Sequence, residues 1–480
     1  MMNFKKNDFL CALVVAGAVV FLSSCTVGPD YVKPSAEIPV SYKEMSQWKK
    51  ARPQDNIIKG RWWEIYKDHE LNALEEQVNI SNQNIAQAEA QFRVAQALVR
   101  EARAGYFPTV TAGASAVRSR SKVTSGKGSS ATSFPIIASD YTLPVDVSWA
   151  PDVWGRVRRT VEASRANAQA SEADLEGARL SVQSSLAQDY FQLRSLDADK
   201  QLLESSVSSY RKFLELTKNQ YSAGVVSRAS VLQAETQLKT TEAQAIDVGV
   251  QRAQLEHAIA LLVGKPASDF SIPVSPLAAV PPQIPAGIPS ELLERRPDIA
   301  AAERLMAAAN AQIGVAEAAF YPDITLSASG GFQSPDITRW LTWPSRFWSV
   351  GSSLSETVFE GGLLRAQSDQ ARAAYDASVA SYRQTVLTAF QEVEDNLAAL
   401  RILEHESEVQ DEVVKAAQQS VTLTTNQYKA GTASAIEVIV TQTAELSNEK
   451  TAIDLMGRRM TASALLIAAL GGGWNASELR

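Results

Sequence analysis

Three histidines (His69, His257, His405) and two cysteines (Cys11, Cys25) are scattered over 480 residues. A structural zinc site needs four clustered nitrogen or sulfur ligands, which this inventory nearly excludes. His405-Glu406 runs on into Ser407-Glu408-Val409, so it does not form the HExxH pair of a metalloprotease helix. The chain carries no P-loop, no GxGxxG after a strand and no GxSxG elbow. The expectation is a protein that is not an enzyme, with no cofactor and no metal site.

One residue does carry chemistry. Lys5 and Lys6 precede an apolar run from Phe9 to Leu22. A spanning helix needs about 20 such residues, so the run suits the hydrophobic region of a signal peptide over residues 1–24. It ends in Leu22-Ser23-Ser24-Cys25, which looks like a bacterial lipobox. In such a segment the signal is cut before the cysteine and the thiol is acylated, making Cys25 the lipidated N-terminus. By resemblance to bacterial lipoproteins, Thr26 directs sorting to the outer membrane.

The remaining composition fits a folded chain, with 45% hydrophobic and 21% charged residues. A net charge of -7 with no basic block argues against nucleic-acid binding, which draws affinity from phosphate neutralisation.

The elements that must position these residues are written twice. Asn219-Gln220-Tyr221-Ser222-Ala223-Gly224 recurs as Asn426-Gln427-Tyr428-Lys429-Ala430-Gly431, and Gly105-Tyr106-Phe107-Pro108 is echoed by Ala319-Phe320-Tyr321-Pro322. An extended N-terminal segment (25–60) leads into a first repeat (61–263) of helix, strands near 106–120 and 140–151, long helix, turn 221–228 and return helix. The second repeat (290–471) places strands near 321–333 and 347–359 and its turn at 428–435. Between them, 264–289 is a connector whose seven prolines exclude helix and central strand. Residues 472–480 form a short tail.

Proline-free runs at 152–265 and 345–480 permit very long helices. A 3.5-residue register, apolar at ten of its fourteen positions in each copy, runs from Tyr382 to Tyr428 and, 207 residues earlier, from Leu175 to Tyr221. Such a seam imposes left-handed supercoiling. A helix from about Arg156 to Gln220 and its shorter return partner leave packing surface for the helices over 71–104 and 290–318. The strands alternate: Tyr141, Leu143, Val145, Val147 and Trp149 against Thr142, Pro144, Asp146 and Ser148. This is the pattern of membrane barrel strands, which a soluble sandwich shares. Trp340, Trp343, Phe347 and Trp348 cluster near the second hairpin, as an interfacial aromatic belt would. Membrane barrels have at least eight strands, so four per chain require other copies.

Several segments together resemble the TolC-like outer membrane factor family, in the lipoprotein branch that includes OprM, CusC and NodT. They are Cys25-Thr26-Val27-Gly28-Pro29-Asp30-Tyr31, Trp62-Trp63 with Asp68 and Leu71, Leu292-Leu293-Glu294-Arg295-Arg296-Pro297-Asp298-Ile299, the paired Tyr-x-Ala-Gly turns and Ala469-Leu470-Gly471-Gly472-Gly473-Trp474.

The resemblance implies a mixed α and β fold, with long coiled-coil hairpins forming a periplasmic α-barrel and four transmembrane strands per chain completing a twelve-stranded barrel in a homotrimer. It implies an outer-membrane conduit of a tripartite efflux system. The partners would be a periplasmic adaptor, an inner-membrane pump of the resistance-nodulation-division type and outer-membrane lipid. A type I secretion duct and a non-conducting structural lipoprotein are the alternatives.

The resemblance also makes the two turns periplasmic tips, with Gly224, Val225, Ser227, Gly431, Thr432 and Ser434 as adaptor contacts. Where the family closes its gate with a salt bridge, Ser230 and Ala433 stand here. One luminal carboxylate position is kept as Glu437, and another is Val440. Arg228 and Glu437, with Tyr428 beside them, are the expected substitute latch.

Overall fold

The computed structural model describes residues 26–35, 38–39, 41–44, 60–125, 132–277, 280–282, 284 and 292–479. The signal segment and Cys25 lie outside the described residues, as do parts of the N-terminal segment and of the proline-rich connector. The helices are α1 (His69–Ser81), α2 (Gln83–Ala104), α3 (Arg156–Ser222), α4 (Arg228–Val263), α5 (Pro297–Ala318), α6 (Leu363–Lys429) and α7 (Ala435–Ala469). The strands are β1 (Thr109–Ala112), β2 (Ser115–Ser125), β3 (Thr132–Trp149), β4 (Asp323–Ser334) and β5 (Arg346–Ser355). No described helix is long and apolar enough to cross a membrane.

Compactness divides the chain crosswise to its sequence repeats. One unit takes Met1–Pro34, Arg93–Ala168 and Glu303–Ala380; the other takes Ser35–Phe92, Gln169–Ala302 and Ser381–Arg480. Each draws on both repeats, because the segments of a repeat bury their apolar faces against counterparts from the other copy.

The first unit holds an antiparallel sheet in the order β1/β2, β3, β4, β5. β1 and β2 share one register on β3, from Thr109 opposite Ser148 to Ser125 opposite Thr132, so they are one strand interrupted opposite Pro144. Proline lacks the N–H a ladder needs; its carbonyl still accepts from Gly113 N at 3.1 Å. The strand expected at 106–120 is thus split, and that expected at 140–151 begins eight residues earlier, at Thr132. Ladder bonds need no apolar residues, so the first hairpin runs on beyond the alternation that marked it. β4 and β5 occupy Asp323–Ser334 and Arg346–Ser355, the last ending short of the expected 359. Beyond it, Gly361 and Gly362 take the positive φ that turns the chain into α6.

In the same unit an N-terminal strap is bound at several points. The buried Arg159 guanidinium donates to the carbonyls of Val27 (3.2 Å) and Gly28 (3.1 Å) and to Asp30 Oδ1 (2.9 Å). Asn310 Nδ2 donates to Pro29 O, and Tyr31 Oη to Glu303 Oε1, both at 3.0 Å. Gly28 passes so close to the backbone of Gly314 that a Cβ there would lie 2.4 Å from its Cα. At the start of α3, Asp152 accepts from Val157 N and Arg158 N.

The second unit is built on long helix segments. Leu203, Tyr210, Phe213 and Leu214 of α3 pack with Ala234 and Leu238 of α4, Tyr428 of α6, and Ala435, Val438 and Leu446 of α7. α3 and α6 have 67 residues each, roughly 100 Å at 1.5 Å per residue. The helix expected over 71–104 is broken at Asn82, whose extended backbone ends α1. Its side chain then caps α2, accepting from Asn84 N (2.9 Å) and Ile85 N (3.1 Å) while donating to Leu262 O (2.7 Å). That fits an asparagine, which satisfies both helix ends at once.

The connector is held by a buried charge cluster. Asp197 accepts from Arg252 Nε (2.6 Å), Ser275 N (3.0 Å) and Arg194 (3.3 Å). Arg194 also donates to Pro273 O at 2.6 Å and Arg252 to Ile272 O at 2.7 Å.

Glu75, on the inner face of α1, is fully buried and neither carboxyl oxygen has a partner among the described residues. Burial pushes its pKa well above the ordinary glutamate range. The folded state therefore retains a proton that the unfolded chain releases as pH rises, so stability falls with pH from that range upward. Glu75→Gln should remove this fall, and melting temperatures of both proteins between pH 4 and 8 should diverge as pH rises. Parallel curves would show that the carboxyl is ionised and solvated.

Candidate functional site

The two helix–helix turns are built alike because their sequences repeat. At the end of α3, Gly224 N donates to Tyr221 O and Val225 N to Gln220 O, both at 2.9 Å. At the end of α6, Gly431 N donates to Tyr428 O (3.0 Å) and Thr432 N to Gln427 O (2.9 Å). This paired bonding is the Schellman ending, and it requires a left-handed residue. Gly224 (φ 74°) and Gly431 (φ 78°) supply it. Nothing lies within 4 Å of where their Cβ atoms would stand, so strain alone, not crowding, limits substitution.

The return helices begin with serine caps. Ser227 Oγ accepts from Ser230 N and Ser434 Oγ from Glu437 N, each at 3.4 Å. Ser434 Oγ also lies 3.0 Å from Glu437 Oε1, to which it donates. A serine cap with glutamate three residues on is a common helix start. Ser230 thus occupies in the first copy the position that Glu437 occupies in the second.

The six residues expected to form adaptor contacts (Gly224, Val225, Ser227, Gly431, Thr432 and Ser434) are all exposed on these turns, Val225 at 66%. Exposed apolar side chains flank them: Tyr221, Leu232, Ile436 and Val440. Leu232 and Ile436 stand outside the set expected from sequence. The helical period marks them, since Ala435, Val438 and Gln442 turn inward.

The expected latch is not assembled within the chain. Tyr428 is 3% exposed, packs against Phe213 with ring centres 5.3 Å apart, and donates its hydroxyl to Thr217 Oγ1 at 3.3 Å. It is a core residue packed on α3, whereas Tyr221, its counterpart at the end of the first seam, is exposed. Arg228 and Glu437 are both exposed, and Glu437 is engaged by Ser434.

Near the lipidation candidate, Thr26 lies against Gly155, and Val27 N donates to Trp154 O at 3.2 Å. Trp154 stacks on Tyr321 at 4.9 Å, beside a cavity of about 500 Å³ lined by Leu98, Pro151, Val157 and Ile324 among others. No group of His, Cys, Asp or Glu among the described residues could hold a metal ion.

Of the aromatic cluster, Trp340 packs beside Tyr141 at 6.1 Å, and Trp343 and Trp348 are exposed. Trp348 pairs with Gly330 and Phe347 with Gly331, so Phe347 falls on the opposite sheet face.

The model of the outer membrane efflux protein family matches residues 74–265 and 288–472. The chain is 30% identical over 466 residues to the probable efflux pump outer membrane protein TtgC of Pseudomonas putida, covering 96% of this chain and 95% of that one. It is 31% identical over 438 residues to nodulation protein T of Rhizobium leguminosarum bv. viciae, covering 90% and 87%. Among solved structures, the outer-membrane channel OprN superposes with a TM-score of 0.87 at 30% identity, covering 94% of this chain and 100% of that one. CusC superposes at 0.82 and 25% identity, covering 94% and 100%.

These contacts separate two site residues by energy. Truncating Tyr428 to alanine should cost about 3–5 kcal/mol, as for a buried aromatic. Glu437→Ala, losing only an exposed helix-start contact, should cost no more than about 1 kcal/mol. Hydrogen exchange on the amides of 420–445 checks this, and equal protection in both variants would contradict the assignment.

Proposed function

We propose that this chain, which belongs to the outer membrane efflux protein family, is the outer-membrane channel of a tripartite efflux system, closed by threefold association. The observation that carries the reading is the sheet. One face is apolar through Tyr141, Leu143, Val145, Val147, Trp149, Leu326, Trp348 and Val350. Among the described residues, its outer strands, β1/β2 and β5, each pair on one side only. Unpaired backbone groups are not tolerated in hydrocarbon, and barrels of this kind have at least eight strands. Four strand positions per chain make twelve in a homotrimer.

The conduit is passive, and energy for transport comes from an inner-membrane pump of the resistance-nodulation-division type. A periplasmic adaptor docks on the turns around Gly224 and Gly431, where exposed Val225, Leu232, Ile436 and Val440 offer apolar contact. Cys25 is acylated and anchors the chain in the outer membrane. Thr26, next in the sequence, lies against Gly155, six residues past the end of β3. Acyl chains contribute roughly 0.8 kcal/mol per buried CH₂, so several on one residue hold firmly.

Native mass spectrometry in detergent should give three copies, each carrying acyl mass on Cys25. A monomer that conducts in planar bilayers would refute the assembly, and an unmodified Cys25 would refute the anchor alone.

Docking has its own test. Gly224→Trp and Gly431→Trp each place a bulky side chain at positive φ, costing about 1–2 kcal/mol, which a long helical hairpin absorbs. Efflux should be lost in cells while trimer abundance is unchanged. Normal efflux from both variants would remove the turns from the docking surface.

A further inference from the structure

The two faces of the first hairpin differ in charge. On β2, Arg118, Arg120 and Lys122 are exposed and opposite Ser139, Ile137 and Pro135 of β3. This register puts them on the face that carries Tyr141, Leu143, Val145, Val147 and Trp149, the apolar face of the sheet. Arg346 of β5, opposite Phe332, shares it, with its guanidinium stacked over Trp343. None of Arg118, Arg120 and Lys122 forms an ion pair among the described residues. No acidic residue lies on this face of the strands: Asp140 and Asp146 point to the other side, where Asp140 accepts from Gln333.

The cations also lie at one end. β3 leads from Trp149 toward α3, so the helices attach at that end and the hairpin turns lie at the other. Going outward past Tyr141 and Trp340, Arg118, Arg120 and Lys122 follow, with exposed Ile137 opposite Arg120. Outward-facing residues recur about every 7 Å along a strand, so the column spans about 14 Å. Tyrosine and tryptophan mark the depth where hydrocarbon gives way to polar headgroups.

We propose that this basic column, on the lipid-facing wall beyond the aromatic belt, binds the phosphate groups of the phosphorylated glycolipid of the outer leaflet. The inference rests on the channel reading above, which makes this face the lipid-facing one. Three features select the occupant. Guanidinium forks match phosphate oxygens in a bidentate way. Long side chains lay their stems on apolar surface and lift the charge outward. A simple phospholipid presents its phosphate at a single depth, whereas a column of this height fits anionic groups carried on sugars above the acyl chains.

The test titrates the purified full-length trimer with bisphosphorylated lipid A, its enzymatically dephosphorylated form and phosphatidylglycerol, read by native mass spectrometry at low salt. A variant carrying R118S, R120S and K122S keeps the ladder intact, since the altered side chains are exposed. Each cation near an anionic lipid surface contributes about a fivefold gain in affinity, so the triple variant should bind lipid A about a hundredfold more weakly. Dephosphorylation should have a comparable effect on the unaltered protein and little on the variant. Equal lipid A binding by both proteins, or binding indifferent to phosphate, would overturn the proposal. Phosphatidylglycerol binding as tight and as sensitive to the variant would overturn the choice of occupant. Conductance of the unaltered trimer in planar bilayers is measured alongside. A conducting trimer that ignores lipid A refutes only this inference, whereas a non-conducting one refutes the channel reading beneath it.

Discussion

A backbone N–H or C=O left unpaired in hydrocarbon costs several kcal/mol, and this constraint governs how the rest of the chain is used. Within the sheet the ladders are long and regular, from Ser115–Ser125 on β3 to Asp323–Phe332 on β5. At its edges nothing further pairs among the described residues. Such a sheet is stable in a membrane only as part of a closed ring, so the chain's fold and its assembly are one problem. Even the interruption at Pro144 is managed this way, since its missing donor falls opposite the gap between β1 and β2, and its carbonyl remains bonded to Gly113.

The helical segments answer a different constraint. A 3.5-residue seam must bury one stripe along its whole length, and small residues set how closely neighbours approach. Gly457 of α7 faces Ser195 of α3 so closely that a Cβ would lie 2.7 Å from the hydroxyl. Where polar groups enter this packing they are tied off: Tyr210 Oη donates to Gln442 O at 3.0 Å, and Asp197 gathers two arginines and the connector backbone. Removing one member of such a cluster leaves an uncompensated buried charge, which costs more than the intact cluster contributes.

What could be read from the sequence follows from this division. The first long helix was legible nearly to the residue and the second at its end, because proline-free periodicity marks the rods and Gly224 and Gly431 mark where they stop. The strands were legible only where one face is apolar. The expected first strand stops at Arg120, yet the ladder runs on to Ser125, because hydrogen bonds to β3 and not side-chain burial hold it there. The break at Asn82 was hidden because asparagine in a helical pattern looks tolerable until Leu262 presents its carbonyl. Arg194 and Asp197, three residues apart, look like a surface ion pair, and only the folded connector reveals them as buried. Tyr428 and Tyr221 end the two seams alike, and only the packing of Tyr428 on Phe213 and Thr217 separates the buried one from the exposed one.

The two tips share turn chemistry and differ in charge, which constrains any latch in the proposed trimer. The first return helix opens with Arg228 and Ser230, the second with Ala435 and Glu437. The second tip also carries Lys429 at the end of α6, so it bears both signs, and in a ring of alternating hairpins Arg228 and Glu437 fall on neighbouring tips. Within the chain Glu437 is bonded to Ser434 on an exposed helix start, an interaction worth about 1 kcal/mol at most. A carboxylate so held can exchange that partner for a guanidinium across the ring at little cost. The buried Tyr428 cannot move in the same way without opening the hairpin core. A closed state secured by these groups would therefore be held by exposed, salt-screened charge, while the hairpins themselves stay rigid. Such a latch is weak, and docking energy spent at the tips would be enough to release it.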